Sequence, residues 1–148
     1  MKSSKGFPQR ILEAIEKAPL RMTRKRKRLF ETLMDSKRPV SAAELRDRAG
    51  LPESDLVTVY RTLEAFEGIG IVQRIPLEEN GYLFELTEPE DHHHHFVCRE
   101  CHRTERLDTC IGNELEEKAR KLGFTQTHHM LEVYGLCEDC QPDPASED

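Results

Sequence analysis

This 148-residue chain has no window approaching the roughly 18 consecutive apolar residues of a membrane span. Residues 1–17 contain no apolar run long enough for a signal peptide, so the sequence reads as cytoplasmic, with no membrane partner. It lacks a His-Glu-x-x-His hydrolase motif and a His-x-Glu with Pro-Cys-x-x-Cys deaminase motif, and its Cys-x-x-Cys pairs do not open a helix in a thioredoxin-like pattern. An enzyme acting on a small-molecule substrate is therefore not expected. There is no internal repeat and no low-complexity tract apart from one histidine run. Apolar residues are also scarce, at 36% against 34% charged, which is lean for one domain and leaner for two. A metal or a partner subunit is the usual brace for so small a core.

The ligands for a metal are dense. His92, His93, His94, His95, Cys98 and Cys101 place six imidazoles or thiols within ten residues. After a gap of 35 residues Cys137-x-x-Cys140 follows, giving two tight thiol pairs that together suit a closed tetrahedral zinc site, since each pair grips one ion from a turn. Such a site would contribute directly to folding. Disulfides are the alternative, disfavoured in a cytosolic chain. Cys110, the fifth cysteine, falls at the expected start of a helix and reads as a small, partly buried residue rather than a redox centre. In extended chain His92 and His94 face one way and His93 and His95 the other, so the run can feed two separate sites. Glu85 is the obvious additional ligand toward the N-terminal half, and His129 and Glu114 are candidates on the other side. Imidazoles with carboxylates suit zinc or ferrous iron.

Charge is unevenly spread. Residues 1–80 carry 16 Lys or Arg against 12 Asp or Glu, whereas residues 81–148 carry 6 against 16. The basic half is where a nucleic acid would bind. Six cations lie among the eight residues 21–28, with Arg24 and Arg26 as candidate phosphate contacts; a solvated basic face is the plainer reading of such a run. Thr23 suits the N-cap of a helix to about Asp35, after a first helix over residues 8–17 that Pro19 ends. Ser41-Ala42-Ala43-Glu44 is a capping box, and Gly50 suits the C′ position. Ser54 could cap a further helix to about Glu67, completing a helix-turn-helix. On that helix Leu56, Val59, Leu63 and Phe66 share a face, leaving Val57, Thr58 and Arg61 outward with Tyr60 at the boundary. This set suits a DNA major groove, although an ordinary helical surface would look similar.

From residue 71 the periodicity changes from 3.6 to 2. Residues 71–75 and 82–86 read as strands around an Asn80-Gly81 turn, the hairpin of a winged helix. The expected organisation is α+β: a winged-helix DNA-binding domain over residues 1–87, a hinge over 88–91, a small α/β dimerisation domain with three strands over 92–140, and a disordered acidic tail over 141–148. In the second domain strands are expected at 92–98, 104–107 and 130–136, with a helix from Asp108 or Thr109 to about Leu122.

These residues resemble the ferric uptake regulator family. The resemblance rests on Thr23-x-x-Arg26, Val40-Ser41-Ala42, Thr58-Val59-Tyr60-Arg61-Thr62-Leu63, Gly70-Ile71-Val72, Phe84-Glu85-Leu86, the histidine run with Cys98-x-x-Cys101, and Tyr134-Gly135-Leu136-Cys137-x-x-Cys140, over about residues 20–140. It implies a homodimeric, metal-dependent repressor that binds palindromic operator DNA. It implies structural zinc on Cys98, Cys101, Cys137 and Cys140, a hinge regulatory site on Glu85, His93 and His95, and a second site on His92, His94, Glu114 and His129. Base contacts would fall on Tyr60 and Arg61. Two departures bear on the sensed metal. Pro39 stands where iron and peroxide sensors generally carry a histidine, and Arg106 where they generally carry a carboxylate five residues after the second cysteine; Glu105 lies on the opposite strand face. His102 replaces the usual glycine. An oxygen-rich iron site is thereby harder to build, and residues 127–137 resemble the zinc uptake branch. The implied function is a zinc-responsive repressor of metal uptake genes. An iron- or peroxide-responsive repressor, with Fe2+ or Mn2+ as the regulatory metal, and a zinc buffer without DNA binding are the alternatives. Glu88, Asp91 and His102 all remain open as the residue completing the hinge site.

Overall fold

The computed structural model describes residues 7–89, 91–107 and 109–144. The chain divides into two compact units, Met1–His92 and His93–Asp148, with the division inside the histidine run just beyond residues 88–91. Glu90, in that link, lies outside the described residues.

The first unit contains four helices and a three-stranded sheet: α1 (Phe7–Lys17), α2 (Arg24–Asp35), β1 (Val40–Ser41), α3 (Ala42–Arg48), α4 (Leu56–Gly68), β2 (Val72–Pro76) and β3 (Tyr82–Leu86). Thr23 caps α2 by accepting a hydrogen bond from the Arg26 amide, at 3.3 Å. Ser41 does the same for α3 through the Glu44 amide, at 3.1 Å. The chain leaves α3 through Gly50 at φ +70, and the Leu51 amide bonds back to Arg46 O at 3.0 Å, so glycine relieves the left-handed turn. The core collects Ile11 from α1, Leu29, Phe30 and Leu33 from α2, Leu45 from α3, Val59, Leu63 and Phe66 from α4, and Val72 and Phe84 from the sheet. Phe30 meets Phe66 edge to face at 6.2 Å.

Two details differ from the expected pattern. Ser54 does not cap α4. It lies in a 3-10 turn, Glu53–Asp55, and Asp55 occupies the cap position at φ -91, ψ 5 without a side-chain capping bond, its Oδ1 accepting from Lys25 Nζ at 2.9 Å. The wing hairpin gains a third strand, ordered β1-β3-β2 and antiparallel throughout, with Val40 opposite Phe84 and Ile75 opposite Leu83. Ser41 is thus both the last residue of β1, paired with Leu83, and the N-cap of α3. A two-residue strand carries too little alternation to be recognised by period.

The second unit contains β4 (His94–Cys98), β5 (Thr104–Leu107), α5 (Gly112–Lys121) and β6 (Glu132–Gly135). Its sheet is ordered β5-β4-β6, antiparallel on the β5 side and parallel on the β6 side. Its core is slight: Val97 and Cys98 are the buried apolar residues there among the described residues, beside buried His94 and His95. Phe96, Ile111, Leu115, Leu122, Phe124 and Val133 are all exposed by 41% or more. Helix α5 begins at Gly112, later than Thr109; Asp108 lies outside the described residues. Ile111, at the cap position of α5, makes no side-chain capping bond. Of the acidic tail, residues 141–144 are exposed and residues 145–148 lie outside the described residues.

Candidate metal centres and DNA-reading face

The thiol pairs are built by two tight turns at neighbouring strand ends. Strand β4 ends at Cys98, and the chain turns back through His102, at φ +64, to donate the His102 amide to Cys98 O at 3.0 Å. Beyond β6 the Cys140 amide donates to Cys137 O, also at 3.0 Å. Arg99 N to Gly135 O, at 2.9 Å, ties the two turns together. All four sulfurs consequently lie within 4.8 Å of one another, and none of the five cysteines is in a disulfide. Cys101 Sγ and Cys137 Sγ are 3.7 Å apart, against an edge of about 3.8 Å for a tetrahedron with zinc–sulfur bonds of about 2.3 Å. The site fits zinc on both donor chemistry and spacing. Backbone amides of Cys137 and Cys101 draw the Cys98 thiol down to about 6, so this sulfur is already a thiolate near neutrality. Cys140 is pushed up to about 12 by hydrogen bonds to Cys137 and Cys101.

A second cluster forms on the other face of the histidine run. His94 Nε2 lies 3.0 Å from His129 Nε2 and 3.3 Å from Cys110 Sγ, and Cys110 Sγ lies 3.2 Å from His129 Nε2. His92, two residues before β4, completes a group of four ligand atoms within 4.8 Å. The Gly112 amide points at Cys110 Sγ from 3.4 Å. Gly112 also makes room: a Cβ there would fall 2.2 Å from His129 Cε1. The alternation of His92 and His94 that the strand period suggests is what brings them together. The carboxylate position differs. Glu114 stands exposed in the first turn of α5 and is not in this group, whereas Cys110, read from the sequence as a small, partly buried residue at a helix start, is exposed and is in it. Because α5 starts at Gly112, Cys110 is not wound into the helix and its thiol reaches the imidazoles. The sequence signal was the odd cysteine itself, a soft ligand in a chain rich in histidine.

The histidines of the other parity have different surroundings. His95 is 2% exposed, and its Nδ1 lies 3.2 Å from Glu132 Oε2, on the strand beside it. Half-buried His93 directly precedes β4, and half-buried Glu85 lies on β3 opposite Gln73. Of the residues left open for this site, Glu88 pairs with Arg10 at 2.9 Å, Asp91 Oδ1 accepts from the His92 amide, and exposed His102 forms part of the Cys98 turn. Glu132 was not singled out by the sequence. A carboxylate in a strand is common, and only the register places it beside His95.

On α4, Val57 is 61% and Tyr60 44% exposed, Arg61 is exposed and Thr58 is half-buried. These four residues cover the face opposite buried Val59, Leu63 and Phe66. Arg24 is exposed, whereas the guanidinium of half-buried Arg26 donates to Arg21 O at 2.9 Å. No helix among the described residues is long and apolar enough to cross a membrane.

The sequence matches the Ferric uptake regulator family over residues 17–134. It is 35% identical over 133 residues to the ferric uptake regulation protein of Legionella pneumophila, covering 87% of this chain and 97% of that one. The fold is similar to the crystal structure of the Vibrio cholerae ferric uptake regulator, with a TM-score of 0.67, 33% identity and coverage of 84% and 98%. It is also similar to the holo XcZur crystal structure, with a TM-score of 0.62, 32% identity and coverage of 93% and 98%. Two ligand clusters, an outward-facing polar and aromatic face on α4, and these matches agree: this chain belongs to the ferric uptake regulator family of metal-responsive transcriptional regulators.

Proposed function

We propose that the protein is a zinc-responsive repressor that binds palindromic operators as a homodimer and controls metal uptake genes in the cytoplasm. The observation that carries this reading is the second cluster: three imidazoles and the Cys110 thiol, with spacing near the edges of a tetrahedron. A thiolate in a four-ligand set favours zinc, whereas Fe2+ and Mn2+ favour more numerous oxygen donors. The similarity to holo XcZur supports the same branch. Cys98, Cys101, Cys137 and Cys140 would hold a permanent zinc that helps fold the weakly packed second unit. Glu85, His93 and His95 would form the regulatory site at the junction, and His92, His94, Cys110 and His129 the second. Zinc supplies a fixed tetrahedral template when bound. The protein's part is to present ligands from both units, so that occupancy and DNA affinity are linked. Val57, Thr58, Tyr60 and Arg61 would read bases, and Arg24 and its neighbours would contact phosphates.

The exposed apolar residues of the second unit support dimerisation: Phe96 and Val133 are paired across β4 and β6 and exposed by 46% and 41%. The test is metal analysis by mass spectrometry together with binding to DNA selected from a random pool, across buffered zinc, iron and manganese. Zinc restoring binding at the lowest free concentration supports the proposal. Iron or manganese doing so assigns the protein to an iron- or peroxide-responsive repressor, and salt-insensitive or absent DNA binding assigns it to a zinc buffer.

A further inference from the structure

The contact between His95 and Glu132 is not used by any ligand set considered above. The two residues are directly in register on the parallel strands β4 and β6, so their side chains leave the same face of the sheet. Both side chains are buried, at 2% and 6% exposure, and Nδ1 lies 3.2 Å from Oε2. On the other flank of His95 the register partner is Arg106, so Glu132 is the acidic member of this cross-strand row.

An ionised carboxylate can only accept a hydrogen bond, so the shared proton belongs to the imidazole Nδ1. That fixes the neutral ring as the tautomer whose lone pair is on Nε2 and holds the ring plane against rotation about its Cβ–Cγ bond. A buried carboxylate is costly unless a partner offsets it, and a ring that becomes more cationic in character on binding a metal is a better partner than the bare ring. The arrangement therefore both orients His95 and raises the basicity of its Nε2.

We infer that Glu132 is a positioning residue for a metal bound by His95: it selects Nε2 as the ligating atom and strengthens that bond without itself touching the ion. This rests on the reading of His95 as a regulatory ligand. The role uses β6, the strand that ends two residues before Cys137, so the same strand carries the positioning group of one site and leads into the thiol pair of another.

The test uses the full chain with its four-thiolate zinc retained, titrated with zinc against a competing chelator. Glu132→Gln, which keeps shape and removes charge, is expected to weaken the site that His95→Ala abolishes by about 10- to 100-fold, while leaving the site that Cys110→Ser abolishes unchanged. Zinc affinity equal to the parent at the His95 site overturns the inference. If His95→Ala leaves zinc stoichiometry intact, the regulatory reading of His95 fails as well, which separates the two failures. On the unmodified chain, imidazole nitrogen-15 spectra of the zinc-loaded protein are expected to show a protonated His95 Nδ1 and a metal-bound Nε2. Metal on Nδ1 overturns the inference without relying on any variant.

Discussion

A Cβ on Gly112 would sit 2.2 Å from Cε1 and 2.8 Å from Nδ1 of His129, so the first residue of α5 is a seat for an imidazole. Gly112→Ala must therefore push His129 away from His94 and Cys110. Gly112 is the first residue of α5, where alanine has little helix-forming advantage over glycine, so the second site is expected to lose zinc affinity with α5 intact. Zinc competition with a chelator, falling while helix content by circular dichroism is unchanged, checks this prediction.

The α2–α4 ion pair gives a second prediction. Lys25 Nζ meets Asp55 Oδ1 at 2.9 Å, with the lysine half exposed and the Asp55 side chain at 12%. In a double-mutant cycle of Lys25→Met and Asp55→Asn, a coupling of about 1 kcal/mol is expected after allowing for solvent around the lysine. It should be measured by urea unfolding of the zinc-loaded chain without DNA. A coupling near zero would mean that Lys25 is a solvated or phosphate-facing cation only.

Arg61 and Arg24 should differ in kind. Arg61→Ala is expected to lower affinity for the selected DNA by roughly 5- to 150-fold, corresponding to about 1–3 kcal/mol for a lost base contact, and to relax sequence preference. Arg24→Ala should weaken all DNA alike and reduce the salt slope by about 1. Gel-shift titrations over a salt series, with selected and unrelated DNA, distinguish the two.

Removing zinc exposes the titration of Cys98. Its thiol pKa is lowered to about 6 by backbone amides, chiefly that of Cys137, against an ordinary thiol value near 9. A depressed acid stabilises the fold above its unfolded value and loses that contribution as pH falls through its folded value. The chelated protein should therefore lose stability from pH 9 to pH 6, and Cys98→Ser should lose less over the same interval. Cys140, at about 12, works oppositely and only above pH 9. Urea melts of the two proteins at several pH values give the comparison.

The apolar face of the second sheet supplies the fifth prediction. Phe96→Glu places a charge opposite Val133, at the one exposed position of β4, and is expected to shift the protein from dimer to monomer in sedimentation at micromolar concentration, with the four-thiolate zinc still bound. An unchanged sedimentation coefficient would tell against this face as a dimer contact.

How far these features could be read from sequence depended on the range of the interaction that makes them. Thr23 and Ser41 announce their helices because a cap is a contact over three residues. The alternation of His92 to His95 was readable because it needs only the strand period. Asp55 defeated local reading: Ser54 is as good a cap by type, but Asp55 takes the cap position and pairs with Lys25, 30 residues away. Cys110 and Glu132 depended on tertiary placement, one on where α5 starts and the other on parallel register with β4. Neither has a local sequence pattern.

Ser41 pairs with Leu83 in the wing and caps α3 with the same residue. No linker residue therefore separates the wing from α3, and Glu85 lies two residues along β3 from the Leu83 that Ser41 pairs with, so the strand carrying a candidate ligand is hydrogen-bonded to the residue that starts α3.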